Sequence, residues 1–239
     1  MIEIRGLNKY YGRNHVLKDI SLDITEPGIY AVLGHNGSGK TTLLKSILGL
    51  VLPRSGQVRV NQTQVGETHM YRSDISYLPQ IARFPDNLRV HELISLIKDI
   101  RNQDGDEKPL IDIFQLQTEM KKKLGNLSGG TRQKVNMLLG FLFDTPIIIL
   151  DEPTISLDPV ALAKFKSIIA GKRAAGKIIL YTTHIMSLVE EFSDRIILLM
   201  DGRIIFDGGL KEICAASRRD TLENAIAYLV DHNGNGKVH

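Results

Sequence analysis

One stretch constrains this chain more than any other: Gly34-His35-Asn36-Gly37-Ser38-Gly39-Lys40-Thr41. It follows the wholly apolar run Ile29–Leu33 and precedes a helical pattern from Thr41 to about Leu50. The eight residues satisfy G-x-x-x-x-G-K-[ST] in full, in the strand–loop–helix context the motif requires. Glycines let the backbone curl until successive N–H groups point at one phosphate. A helix starting near Lys40 adds the positive end of its dipole. Lys40 can then reach the β and γ phosphates, and the Thr41 hydroxyl can ligate Mg²⁺. The competing reading is a glycine-rich turn before an ordinary helix.

The rest of the chain repeats the alternation. Asp74–Leu78, Ile147–Leu150, Ile178–Tyr181 and Ile196–Met200 read as further strands, and 160–170 as a helix. Apolar strands separated by helices indicate a parallel sheet covered on both faces. Two segments depart from this. The first 28 residues and Gln57–Val65 look like short, half-exposed strands of a smaller antiparallel layer. From Ile81 to Lys134 the strand signal fades: Val90, Leu93, Ile94 and Ile97 mark one helical face, and Leu110, Ile113 and Phe114 begin another. The polar loop Asn102–Lys108 joins them, so 81–134 reads as a helical insertion in an α/β core. Residues 221–230 form a short amphipathic helix, and the polar Gly/Asn-rich end, 232–239, is expected to be disordered.

At 239 residues the chain can bury a full core without disulfides or metals, and its single cysteine, Cys214, allows no intrachain bridge. A net charge of +3 leaves no nucleic-acid footprint. No apolar run approaches the roughly 20 residues that cross a bilayer. Glu3, Arg5 and Lys9 interrupt the start before a signal sequence could form, so any membrane role is expected to go through a partner.

A second chemical feature supports the first. The strand Ile147–Leu150 ends in Asp151-Glu152. In a parallel sheet, carboxylates at that strand end fall at the edge where a phosphate loop opens. Asp151 suits a Mg²⁺ ion, and Glu152 can accept a proton from an attacking water. Solvated acids ending a strand are the bland alternative.

Leu127-Ser128-Gly129-Gly130-Thr131-Arg132-Gln133 resembles the signature of ATP-binding cassette (ABC) ATPases, and it stands upstream of the Asp-Glu strand as in that family. The resemblance extends over about residues 1–210. Gln80 resembles the Q-loop glutamine, Ile155-Ser156-Leu157-Asp158 the D-loop and His184 the switch histidine. Tyr11 stands where the family's adenine-stacking aromatic sits, with Tyr10 its rival and a core tyrosine the alternative.

The resemblance implies an α/β P-loop NTPase (RecA-like) cassette with an antiparallel β subdomain and an inserted helical subdomain. The expected core is 1–80 and 135–220, with 81–134 carrying the signature. It implies ATP bound by Tyr11, Gly34, Asn36, Gly37, Ser38, Gly39, Lys40, Thr41 and Thr42. Ser128, Gly129, Gly130 and Asp158 are implied to act on the ATP of a second, head-to-tail copy. Mg²⁺ falls to Thr41, Gln80 and Asp151, and the catalytic set is Glu152, His184, Gln80 and Lys40. Ser128 also reads as an N-cap, with Val135, Leu138, Leu139 and Leu142 as the buried stripe behind it. His35 replaces a frequent proline and Ser156 a usual small residue, which leaves the D-loop geometry open.

One cassette without membrane spans or long coiled coils resembles the separate ATPase subunit of a transporter. It would sit on the cytoplasmic face of the inner membrane through a permease dimer, with a periplasmic protein joining the complex. Finer likeness lies in LPQIARFPDNLRVHEL, LSGGTRQKVNMLLGFLF, HIMSLVEEFSDRIILLMDGRIIFDG and LENAIAYLV. These resemble the cassette of NosDFY-type copper-processing transporters, which serve nitrous oxide reductase maturation. An ABC-2 type efflux ATPase is the other transport reading; a regulatory or DNA-associated ABC ATPase is the non-transport one. Phe84, Pro85 and Leu88 either line a groove for the permease or pack within the insertion. Lys121–Lys123 reads as a solvated face.

Overall fold

A computed structural model of the chain describes residues 1–155 and 157–233. In chain order the elements are β1 (Ile2–Tyr11), β2 (Asn14–Ile24), β3 (Gly28–Leu33), α1 (Lys40–Ile47), β4 (Ser55–Val60) and β5 (Thr63–Gln64). Then come β6 (Ile75–Leu78), α2 (Val90–Arg101), α3 (Lys108–Phe114), α4 (Gly129–Phe141), β7 (Ile147–Asp151) and α5 (Pro159–Ala174). The last are β8 (Ile178–Thr182), α6 (Met186–Phe192), β9 (Arg195–Met200), β10 (Arg203–Gly208), α7 (Leu210–Ser217) and α8 (Leu222–Asn233). They form two compact units, Met1–Arg72 with the chain from Ile178 on, and Ser73–Lys177.

The first unit holds the expected antiparallel layer, in the order β2-β1-β4-β5. Along β1 the buried residues are Ile2, Ile4 and Leu7, and a register shift between Ile4 and Leu7 returns the third to the covered face. The same unit contains β3 between β8 and β9, parallel to both. Every residue of β3 and β8 is buried, which is why these strands read as unbroken apolar runs. One strand departs from the expected all-parallel pattern: β10 pairs antiparallel with β9 through the Asp201-Gly202 turn. Helices α7 and α8 pack on each other, and α7 also packs on β10.

Two helix ends differ from expectation. α1 stops at Ile47 rather than near Leu50, because Gly49 turns left-handed at φ 65 and ends the helix. α8 runs through Asn233, past the expected start of disorder at 232. His232 stacks on Tyr228 one turn back, with ring centroids 3.8 Å apart, and donates to its carbonyl at 2.8 Å. The remainder of the tail, and Ser156 of the D-loop, lie outside the described residues.

The second unit is built on the parallel pair β6 and β7. α4 packs on β6, and α3 packs on α4 and α5. α2 buries Val90, Leu93 and Ile94, with Ile97 half-buried, as its spacing requires. Each fully buried side chain of that size contributes about 1.5–3 kcal/mol. α4 is more enclosed than one stripe. Val135, Leu138 and Leu142 are buried and Leu139 half-buried, but Gln133, Asn136 and Met137 are buried as well. Phe84 and Leu88 are half-buried while Pro85 is exposed.

Candidate nucleotide site

The residues named from the sequence divide between the two units. In the first, the register pairs Val32 of β3 with Thr182 of β8. Gly34 and His184 each lie two residues beyond that pair, so the phosphate loop and the histidine leave neighbouring parallel strands at one C-terminal edge. His184 is exposed in the bend before α6.

The loop is tightly built. A Cβ on Gly34, whose φ is 154, would lie 2.1 Å from the Leu199 carbonyl oxygen and 2.5 Å from Ser38 Oγ, so only glycine fits. The Gly202 N–H donates to the Ser38 carbonyl at 3.1 Å, and Gly202 in turn accepts from Lys18 N of β2 at 2.8 Å. The hairpin turn thus braces the loop. His35 donates to the Asn36 carbonyl and faces Asp201, away from any role the motif needs. Asn36 and Gly37 are exposed, Ser38, Gly39 and Lys40 buried, Thr41 and Thr42 half-buried.

Two polar groups in this loop point to an anion. Lys40 Nζ donates to the carbonyls of Gly34 at 2.7 Å and His35 at 3.2 Å, which holds its charge over the turn. Ser38 Oγ is wholly buried and has no hydrogen-bond partner. A hydroxyl left that way costs about 1–3 kcal/mol. A phosphate oxygen in the turn would satisfy it, so the loop fits the group its motif implies.

At the end of β1, Tyr11 is 50% exposed, which removes the core-tyrosine alternative. Its rival Tyr10 is already engaged. It stacks on His15 with centroids 3.9 Å apart and planes 12° apart, and Arg54 lies over its ring. Tyr11 carries Lys9 Nζ over its ring at 5.1 Å but stacks on no aromatic ring among the described residues, so it is the more available of the two for a base.

In the second unit, β6 pairs Leu78 with Leu150 of β7. Gln80 and Glu152 each stand two residues further, again at one strand edge. Asp151 is 1% exposed and Glu152 6%. Tyr77 on β6 has its hydroxyl pKa pushed up to about 12, mainly by burial and then by the negative charge of Asp151. Glu152 adopts φ 48, the left-handed region, which costs a residue with a Cβ about 1–3 kcal/mol. Such strain is sustained where the side chain must leave the strand in a set direction.

The signature turn begins with Leu127 buried, and Ser128 caps α4 by accepting from Thr131 N at 3.2 Å. Ser128 and Gly129 are exposed and Gly130 half-buried. Apart from its chain neighbours and the backbone of its own helix, no atom of the described residues comes within 4 Å of where a Cβ on Gly129 would stand. Asp158, half exposed, has work within its own chain. Its Oδ1 caps α5 from Ala161 N at 2.7 Å, and its Oδ2 lies 3.0 Å from Lys134 Nζ. The bond from Ala161, then Lys134, hold its carboxyl below the usual range.

Comparison with known proteins decides the family. The ABC transporter family model matches residues 17–155, more than half of the chain. The chain belongs to the ABC transporter family. An uncharacterised ABC transporter ATP-binding protein of Methanocaldococcus jannaschii is 30% identical, over 99% of this chain and 84% of that protein. The transporter ATP-binding protein EcsA of Bacillus subtilis is 28% identical over 89% of each. The bacitracin transport ATP-binding protein BcrA of Enterococcus faecalis is 29% identical over 92% of this chain and 73% of its own length. Among solved structures, the ATP-binding subunit of an ABC transporter superposes with a TM-score of 0.91 at 28% identity, over 96% of this chain and 99% of that one. The dimeric structure of a bacterial ABC transporter cassette gives 0.79 at 25% identity, over 88% and 99%.

The cassette is thus an ABC ATPase subunit, with ATP its ligand and ATP hydrolysis its reaction. Two buried amides of its second unit were given no role from the sequence: Gln133, quoted only as the last residue of the signature, and Asn136. The signal was present as polar residues on the inward side of an otherwise apolar helix.

Proposed function

We propose that two copies of this cassette pair head to tail around two ATP molecules and drive a separate membrane permease. The observation that carries this reading is the open space in front of Gly129. The turn is capped by Ser128, and beyond its own helix no described residue crowds that position, whereas the close approach of a phosphate from a second copy would require a glycine there. The dimeric relative supports the pairing.

In this arrangement Lys40 and the N–H groups from Gly37 to Thr42 hold the β and γ phosphates of one ATP. Tyr11 stacks on the adenine. Ser128, Gly129 and Gly130 of the second copy present their helix tip to the γ-phosphate, and Asp158 acts across the same junction. Thr41, Gln80 and Asp151 would hold Mg²⁺, which would supply positive charge against the triphosphate. Glu152 takes the proton of the attacking water, and His184 holds the γ-phosphate and that water in line. The helical segment 81–134 transmits closure to the permease.

Mixing Lys40→Ala chains with Ser128→Arg chains tests the composite site. Each dimer then retains at most one intact site, and hydrolysis per chain falls to half or less. Full-rate hydrolysis by dilute monomer, independent of protein concentration, would overturn it.

The permease would hold the cassette at the cytoplasmic face of the inner membrane. No helix among the described residues can cross a bilayer, and the relatives are named for transport. The four segments quoted above support a NosDFY-type copper-processing system. Cys214 is the single cysteine, and in such a system copper would be handled by other subunits. A relative named for Nod factor export supports the second reading, an efflux ATPase, while others are named for branched-chain amino acid transport and ribose import. Identifying the proteins that co-purify from detergent-solubilised membranes separates the two.

A further inference from the structure

Helix α4 buries two amide side chains among its apolar neighbours. Gln133 and Asn136, three residues apart and so on one face of the helix, are 7% and 3% exposed. Asn136 Nδ2 donates to the Pro79 carbonyl at 3.0 Å and to Gln133 Oε1 at 3.3 Å. Gln133 Nε2 donates to the Pro153 carbonyl at 3.2 Å. Because both backbone partners are carbonyls, each amide must turn its nitrogen to the backbone, which leaves the Gln133 oxygen for Asn136. The result is a continuous chain of hydrogen bonds from Pro79 to Pro153.

Its two ends matter. Pro79 directly precedes Gln80, and Pro153 directly follows Glu152. The backbone at Glu152 is left-handed, at the end of β7, and Ile155 N donates to its carbonyl at 3.3 Å. Strained backbone persists only where its surroundings over-determine it. Pro153 has no N–H to give, so its carbonyl is the handle by which α4 grips the turn.

We infer that Gln133 and Asn136 are positioning residues, a buried amide relay that couples the segment entering Gln80 to the turn that aims Glu152. This rests on the reading of Glu152 as the base. A displacement of the Gln80 segment draws on Asn136, then Gln133, then Pro153, and turns the Glu152 carboxylate out of line. The relay lies within one chain and one unit.

The test uses the full chain and measures kcat, KM for ATP and the thermal midpoint. Asn136→Leu and Gln133→Met each keep volume and remove a donor. Each should lower kcat by about tenfold to a hundredfold with KM within about twofold, the cost of a misplaced group. Met137→Ala, wholly buried on the same helix but outside the relay, should lower the midpoint and leave kcat within about twofold. Added to Glu152→Gln, Asn136→Leu should leave the residual single-turnover rate unchanged, because it acts through the carboxylate already removed. If Asn136→Leu does not fold, Gln133→Met decides alone. Retained kcat with a lowered midpoint, or an equal slowing in the Glu152→Gln background, overturns the relay. Full kcat in Glu152→Gln alone overturns the base reading instead.

Discussion

Lys40 Nζ donates to the Gly34 carbonyl at 2.7 Å, across the loop that the two residues bracket. Lys40 is 7% exposed, and its ammonium donates to the His35 carbonyl as well. Its charge is therefore already gathered over the turn where a triphosphate would lie. Lys40→Ala removes a charge-assisted contact of about 1.5–3 kcal/mol. Nucleotide affinity measured by calorimetry should fall at least about tenfold. Unchanged affinity would take Lys40 out of the phosphate site.

Tyr11 and Tyr10 are neighbours in sequence with opposite surroundings. Tyr10 is spent on His15, while Tyr11 keeps half its surface open. Base–aromatic stacking is worth about 1–3 kcal/mol. Tyr11→Ala should weaken binding of ATP by that amount and leave binding of inorganic triphosphate unchanged, whereas Tyr10→Ala should affect neither. The opposite ordering in a titration would move the adenine contact to Tyr10.

The parts that were readable are those where chemistry forces the residue. Gly34 must be glycine because Leu199 and Ser38 leave no room, and a buried parallel strand must be apolar on both faces. β10 was missed because its residues are half-buried and its run is short, although Asp201-Gly202 announced the hairpin. The ion pair of Asp158 joins residues 24 apart on different helices, which no local pattern encodes. Asn136, and the burial of the signature residue Gln133, were not legible for a related reason. Amides on a helix ordinarily face water, and only the placement of Pro79 and Pro153 gives these two a reason to be buried.

Gly129 separates the needs of one chain from those of two. Beyond its own helix, a methyl group at that position meets none of the described residues within 4 Å. Alanine also gains about 0.5–1 kcal/mol over glycine in a helix. Gly129→Ala should therefore hold or raise the thermal midpoint while hydrolysis falls at least about tenfold, because the methyl intrudes where the second copy's phosphate belongs. Hydrolysis at the wild-type rate would place the composite site elsewhere.

Asp158 yields a pH dependence whose sign can be worked out. The Ala161 N–H, and then Lys134, favour the ionised carboxylate in the folded chain, so its pKa there lies below the unfolded value of about 4. Stability from this group is complete above that unfolded value and is lost as pH falls through the lower folded one. Asp158→Asn keeps an oxygen to cap α5 and gives up the charge facing Lys134. The midpoint gap between the wild type and Asp158→Asn should therefore be constant from pH 8 down to about 5 and close as the solution is made more acid than about pH 4. Melting curves for both chains across that range check it. A gap that widened on acidification would mean that Asp158 is destabilised by its charge, and the pairing with Lys134 would lose its role.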